Sequence, residues 1–231
     1  MDHKRLTLFA GHYGSGKTNI AVNYALLLAA EGKKVCIADL DIVNPYFRTK
    51  DSARELEAAG IDLISPQFAN SNVDLPALPA EAYRLVTDRQ TYGIMDIGGD
   101  DRGAYALGRY VPSILEDNNY RMVFVANCYR PLTRTPEEAM EVMREIEDAC
   151  KLRFTDIINN SNLGPETTAE TVISSQAYME ALSKLSGLPI FATTAVAEVA
   201  KALPEPVISL QLQEKYFDLP SQKPGNRPLW G

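Results

Sequence analysis

Eight consecutive residues, Gly11-His12-Tyr13-Gly14-Ser15-Gly16-Lys17-Thr18, stand between a short apolar run and a helix-periodic one. The run before them, Leu6 to Ala10, reads as a buried strand that ends at a glycine. After Lys17 the spacing changes. Ile20, Ala21, Ala25, Leu28 and Ala29 fall on one helical face, and Gly32 supplies a stop. The eight residues satisfy G-x-x-x-x-G-K-[ST], and the strand before and helix after are the context that pattern requires. A chain that passes from strand through such a loop directly into a helix has begun a βα unit.

The chemistry of this loop follows from its residues. Glycines let backbone approach an anion without an intervening Cβ. Successive N–H groups can form an anion nest, and the helix N-terminus adds its dipole. Gly11, His12, Tyr13, Gly14, Ser15, Gly16, Lys17 and Thr18, with Asn19 following in the helix, are therefore the candidate phosphate-binding set. Lys17 would neutralise β- and γ-phosphates, and the Thr18 hydroxyl would ligate Mg2+.

The rest of the chain repeats the alternation. Strands are predicted at Val35 to Ala38, Ile61 to Ser65, Gly93 to Ile97, Met122 to Ala126, Phe154 to Ile158 and Pro189 to Thr193. Helices are predicted over Asp51 to Ala59, Ala80 to Arg89, Thr135 to about Cys150, Thr167 to near Gly187, and Ala195 to Ala202. Thr135-Pro136-Glu137-Glu138 has the form of a capping box with Pro at the first helical position, and Thr167 to Glu170 offers a second. The Pro- and Asn-rich stretch from Ser65 to Pro79 is long enough to suggest a functional loop. The fold class is thus α/β: a mostly parallel sheet with helices on both faces. One domain is expected over residues 1–203, with an irregular tail over 204–231 that carries Pro204, Pro206, Pro220, Pro224 and Pro228.

Two acidic strand ends complete the candidate site, because strand C-termini in a parallel sheet share an edge with the loop. One is Asp96, just before Gly98-Gly99. The other is the pair Asp39 and Asp41. Phosphoryl chemistry needs an acidic group in the magnesium shell and another that orients the attacking water.

The loop, the segment Ala38-Asp39-Leu40-Asp41 and the segment Asp96-Ile97-Gly98-Gly99 together resemble the MinD/ParA-like branch of P-loop ATPases (the SIMIBI class, with the CobQ/CobB/MinD/ParA nucleotide-binding domains). That branch includes nitrogenase iron protein and Mrp-type scaffolds. The likeness extends to about Ala202. It implies ATP and Mg2+ as cofactors, Lys17 and Asp41 as the catalytic pair, and Thr18, Asp39 and Asp96 around the metal. It also implies nucleotide-driven action on a protein partner, with a homodimer as one form. The family's ATP-driven dimers carry a lysine directly after the loop's first glycine, where this chain has His12, and a histidine supplies no fixed charge at pH 7. Arg48, Arg102 and Arg130 are the candidates to replace it. Asn159 and Asn160 lie at a strand end where relatives hold the purine with an Asn; Thr193 and Thr194 are weaker candidates at the next. There is no N-K-x-D pattern, so guanine is not indicated. The missing lysine also leaves room for a small-molecule enzyme resembling dethiobiotin synthetase or cobyrinate amidases, which would activate a carboxylate with ATP.

Composition narrows the partners. The net charge is −7, from 30 acidic and 23 basic residues, which supplies no cation cluster for nucleic acid. No apolar run approaches the roughly 20 residues that span a bilayer, and the proline-broken C-terminal residues do not form a basic amphipathic helix for a membrane surface. Three separated cysteines, Cys36, Cys128 and Cys150, fit reduced thiols and a cytoplasmic setting. They offer no paired ligands for a metal cluster.

Overall fold

The computed structural model describes residues 3–40, 52–64, 80–98, 104–105, 107–204 and 206–212. Eight strands form one sheet: β1 (Leu6–Ala10), β2 (Val35–Leu40), β3 (Asp62–Ile64), β4 (Tyr92–Ile97), β5 (Tyr120–Ala126), β6 (Asp156–Asn159), β7 (Ile190–Val196) and β8 (Val207–Leu210). Their spatial order is β3-β2-β4-β1-β5-β6-β7-β8. Every pairing is parallel. The helices described are α1 (Lys17–Ala30), α2 (Ala53–Ala58), α3 (Tyr83–Thr87), α4 (Val111–Asp117), α5 (Pro136–Cys150), α6 (Ala169–Ile173), α7 (Gln176–Ser186) and α8 (Ala197–Ala200).

The strand order explains which helix covers which face. From β1 the chain moves toward one edge, to β2 and β3. It then reverses, inserting β4 beside β1 and continuing to β5 and the opposite edge. Right-handed crossovers require helices made before and after such a reversal to lie on opposite faces. The two apolar cores agree. One contains Ile20, Ala21, Ala25 and Leu28 of α1 with Leu56 of α2. The other contains Leu85 of α3, Ile114 of α4, Val142 and Ile146 of α5, and Met179 and Leu182 of α7. Both faces are therefore buried, which is why the strands read as continuous apolar runs.

α1 is pinned along its length, so its N-terminus is held in place. Tyr24, fully buried, meets Phe9 edge-on at 5.6 Å and Phe191 at 6.1 Å. Contacts of this geometry add about 0.5–1.5 kcal/mol each beyond burial. Asn23 donates to Gln211 O at 2.9 Å and accepts from Gln211 N at 2.7 Å, tying the helix to the backbone just past β8.

Several expectations need correction. Val207–Leu210 forms β8, paired with β7 from Thr193↔Val207 to Val196↔Leu210, so the sheet runs past 203 and residues 204–231 are not wholly irregular. An edge strand tolerates flanking prolines because its outer side needs no ladder donor. The second capping box is formed by Thr168 and Thr171, because the Thr167 hydroxyl already donates to Gly164 O at 2.7 Å. The predicted helix from Thr167 is two helices, separated at Ser174-Ser175, where the Ser175 hydroxyl donates to Val172 O at 2.6 Å. α4 occupies a stretch to which the sequence reading assigned nothing. Asp41, Arg48, Arg102, Gly99 and the loop Ser65 to Pro79 lie outside the described residues.

The first capping box is as expected. Glu138 N donates to Thr135 Oγ1 at 3.2 Å and Thr135 N donates to Glu138 Oε2 at 3.2 Å. Thr135→Ala is expected to lower stability by about 1 kcal/mol. Urea denaturation measures it, and an unchanged midpoint at equal slope would contradict it.

Candidate phosphate-binding site

β1 lies between β4 and β5, where the chain reverses direction. A parallel sheet opens a crevice at the carboxyl ends of its strands at such a point. The loop leaving β1 sits there. Its first and last glycines cannot carry side chains. A Cβ on Gly11 would stand 2.8 Å from Val125 O of β5. Gly16 has φ +91°, and a Cβ there would run into the Asn160 side-chain amide. The loop is thus packed tightly against the ends of β5 and β6 from behind, while Tyr13 and Gly14 are exposed.

Within the loop, Ser15 N donates to His12 O at 3.1 Å, and Lys17 Nζ donates to the same oxygen at 3.2 Å. Lys17 is only 5% exposed, so its ammonium lies folded over the loop rather than out in solvent. Thr18 is buried beside it and Asn19 half-buried. Ser15 is also buried, yet its hydroxyl has no hydrogen-bond partner among the described residues. Such a group costs about 1–3 kcal/mol. A ligand oxygen offered to the loop would relieve that cost.

The two described carboxylates converge as the topology requires. Asp39 and Asp96 are register partners across β2 and β4, each one residue from its strand's end, and Asp96 is also in register with Phe9. Alternation puts both on the face of Phe9, Ile37 and Ile94, the face that α1 covers. They are 2% and 0% exposed. Two acids so placed cannot both be charged at low cost without compensating positive charge. The buried Lys17, first residue of α1, brings one cation to this face, and a divalent cation would bring more. Among the described residues no group of three or more His, Cys, Asp and Glu side chains could hold a metal unaided. Mg2+ suits such a place, since it keeps waters and takes phosphate oxygens alongside one or two protein groups.

Asn159 and Asn160, expected to read a base, have their amides engaged inside the protein. Asn159 Nδ2 donates to Ser175 Oγ at 2.9 Å, and its Oδ1 accepts from Ser161 N at 3.0 Å. Asn160 Nδ2 donates to Ser15 O at 2.6 Å, and its Oδ1 accepts from Thr194 Oγ1 at 2.6 Å. Asn160 is thus a strut joining the loop to the ends of β6 and β7, a role the sequence reading did not foresee. Its position just past a strand's carboxyl end, on the sheet edge that the loop shares, was the available signal. Thr194, a weaker candidate for the base, is the strut's second anchor. Arg130, in the turn after β5, is the one of the three candidate arginines that is described, and it lies against the loop: a Cβ on Gly14 would be 3.9 Å from its Cζ and Nε.

Cys36 and Cys150 are core residues. Burial pushes the Cys36 thiol up to about 11 and raises that of Cys150, which keeps both protonated near neutrality. Among the described residues no helix is long and apolar enough to cross a membrane.

Solved structures with the same fold include cell division protein FtsY from Thermotoga maritima, with a TM-score of 0.56 and 18% identity over 84% of this chain and 62% of that one. Chloroplast FtsY from Physcomitrella patens gives 0.53 and 16% over 84% of this chain and 59% of that one. The chain therefore spans about three fifths of these proteins' length, and at such identities the likeness is one of fold, that of P-loop NTPases. No curated protein matches it in sequence. The family description "CobQ/CobB/MinD/ParA nucleotide binding domain" matches residues 6–170. That span is well over half of the chain and holds the loop, both buried aspartates and the Asn160 strut; the chain belongs to this nucleotide-binding domain family.

Proposed function

We propose that the protein is a Mg-ATP-binding P-loop ATPase of the MinD/ParA-like type, whose nucleotide state governs its association with a protein partner. The observation that carries this reading is the loop itself. A glycine-rich loop leaves β1 at the sheet's switch point, with a buried lysine folded over it and a buried Ser15 hydroxyl that has no partner among the described residues.

In this reading the amides of the loop and the N-terminus of α1 receive the phosphates, and Lys17 leaves His12 O to meet them. Thr18 and Asp96, with Asp39 beside it, would hold Mg2+, which supplies charge neutralisation at the phosphates. Asp41 would orient the hydrolytic water, as the family resemblance implies. Asn160 keeps Ser15 in place, so the loop is preorganised before any ligand arrives. Preference for adenine rests on the lack of an N-K-x-D pattern. Partner association rests on the family alone, with a second copy of the chain as one form.

The test is calorimetric titration of the protein with Mg-ATP and, separately, Mg-GTP. Saturable heat with ATP, weaker with GTP, is the expected outcome. Tighter GTP binding would overturn the base assignment, and no heat with either would overturn the whole reading.

A further inference from the structure

We propose that Arg130 is a second cation of this site, reaching from within the same chain to the terminal phosphate of a bound nucleoside triphosphate. The inference rests on the nucleotide reading above and goes beyond it by naming the group that tells a triphosphate from a diphosphate.

Three observations converge on this residue. The first is position. β5 is the direct neighbour of β1, with Ala10 in register with Phe124, so the turn leaving β5 emerges beside the loop leaving β1. A Cβ built on Gly14, the glycine on the loop's exposed rim, would stand in van der Waals contact with the guanidinium, 3.9 Å from its Cζ and Nε. Position 14 itself carries no side chain to screen that guanidinium from an anion seated in the loop.

The second is availability. Arg130 is exposed, and among the described residues no carboxylate forms an ion pair with it. Its backbone is nonetheless fixed. Arg130 N donates to Asn127 O at 3.2 Å, an oxygen that also accepts from the Thr133 hydroxyl at 2.8 Å. Asn127, fully buried, accepts at its Oδ1 from Tyr129 N at 3.0 Å. A rigid turn thus carries a long, uncommitted cation to the rim of the loop.

The third is charge. Asp39 and Asp96 are buried together on the α1 face, and Lys17 is the cation the loop contributes. A triphosphate adds further negative charge, which phosphoryl transfer spreads over the equatorial oxygens of the γ-phosphate. Lys17, entering from the helix end, serves the inner phosphates as well. A cation at the Gly14 rim balances the outer one. Arginine suits the task because its planar fork can donate two parallel bonds to a phosphate.

The experiment compares wild type, Arg130→Ala and Arg130→Lys in binding Mg2+ with β,γ-imido-ATP and with ADP, and in single-turnover hydrolysis of Mg-ATP. Arg130→Ala is expected to weaken the triphosphate analogue about tenfold or more, the worth of one charge-assisted contact. ADP affinity should stay within about twofold, since the contact is confined to the γ-phosphate. Hydrolysis should fall about a hundredfold, with Arg130→Lys intermediate because it keeps the charge and loses the fork. An equal loss for both nucleotides would mark Arg130 as a support of the loop and overturn the proposal, as would unchanged values for both. If wild type binds neither nucleotide, the underlying reading fails and this one with it; a wild type that binds both with an indifferent Arg130→Ala sinks this inference alone.

Discussion

Lys17→Ala is expected to lower the affinity for Mg-ATP by at least about a hundredfold while leaving the fold intact. The ammonium is the buried cation of the loop and already lies 3.2 Å from a loop oxygen, so little motion separates it from a phosphate. A hydrogen bond to a charged group contributes about 1.5–3 kcal/mol. Lys17 would make two, one to the β- and one to the γ-phosphate. Losing both corresponds to two decades or more in affinity. The substitution also leaves Asp39 and Asp96 facing the phosphates without the loop's lysine, which adds repulsion to the lost attraction. Calorimetry measures the effect, and circular dichroism checks that the helices survive. An affinity within threefold of wild type would show that the loop does not hold the nucleotide.

The sequence declared the βα alternation and the loop because both are local. A strand buried on both faces is an apolar run, and a helix start declares itself through spacing and caps. Thr135 to Glu138 was readable for that reason. Features that depend on a partner distant in sequence were not. β8 is four residues long, and what makes it a strand is its pairing with β7, not its own composition. The break between α6 and α7 is set by Ser175, whose hydroxyl serves both Val172 O and the amide of Asn159. Within the site, Asp39 and Asp96 could be placed at strand ends from sequence. Their register pairing required the strand order, which puts β4 between β1 and β2. Asn160 is legible as a strand-end residue, but its hold on the loop is not. Its contact with Ser15 spans 145 residues, and no local pattern encodes it.

That contact constrains the loop's last glycine twice over. Gly16→Ala is expected to abolish nucleotide binding to the limit of calorimetric detection and to destabilise the protein by about 1–3 kcal/mol. Two causes act together. At φ +91° an alanine meets the steric cost that restricts positive φ to glycine. Its Cβ would also collide with the Asn160 amide, which is itself held by Ser15 O and Thr194 Oγ1. Either the loop or the strut must move, and both shape the cradle. The causes separate in a double-mutant cycle. Asn160→Ala alone removes the strut and leaves Ser15 O without its donor. In the Gly16→Ala background the same truncation removes the collision as well. The stability loss of the double variant should therefore be smaller than the sum of the single losses by about 1 kcal/mol or more. Urea denaturation of the four proteins provides the cycle. Strict additivity would mean that the amide does not press on position 16, and the account of Asn160 as a rigid strut would fail.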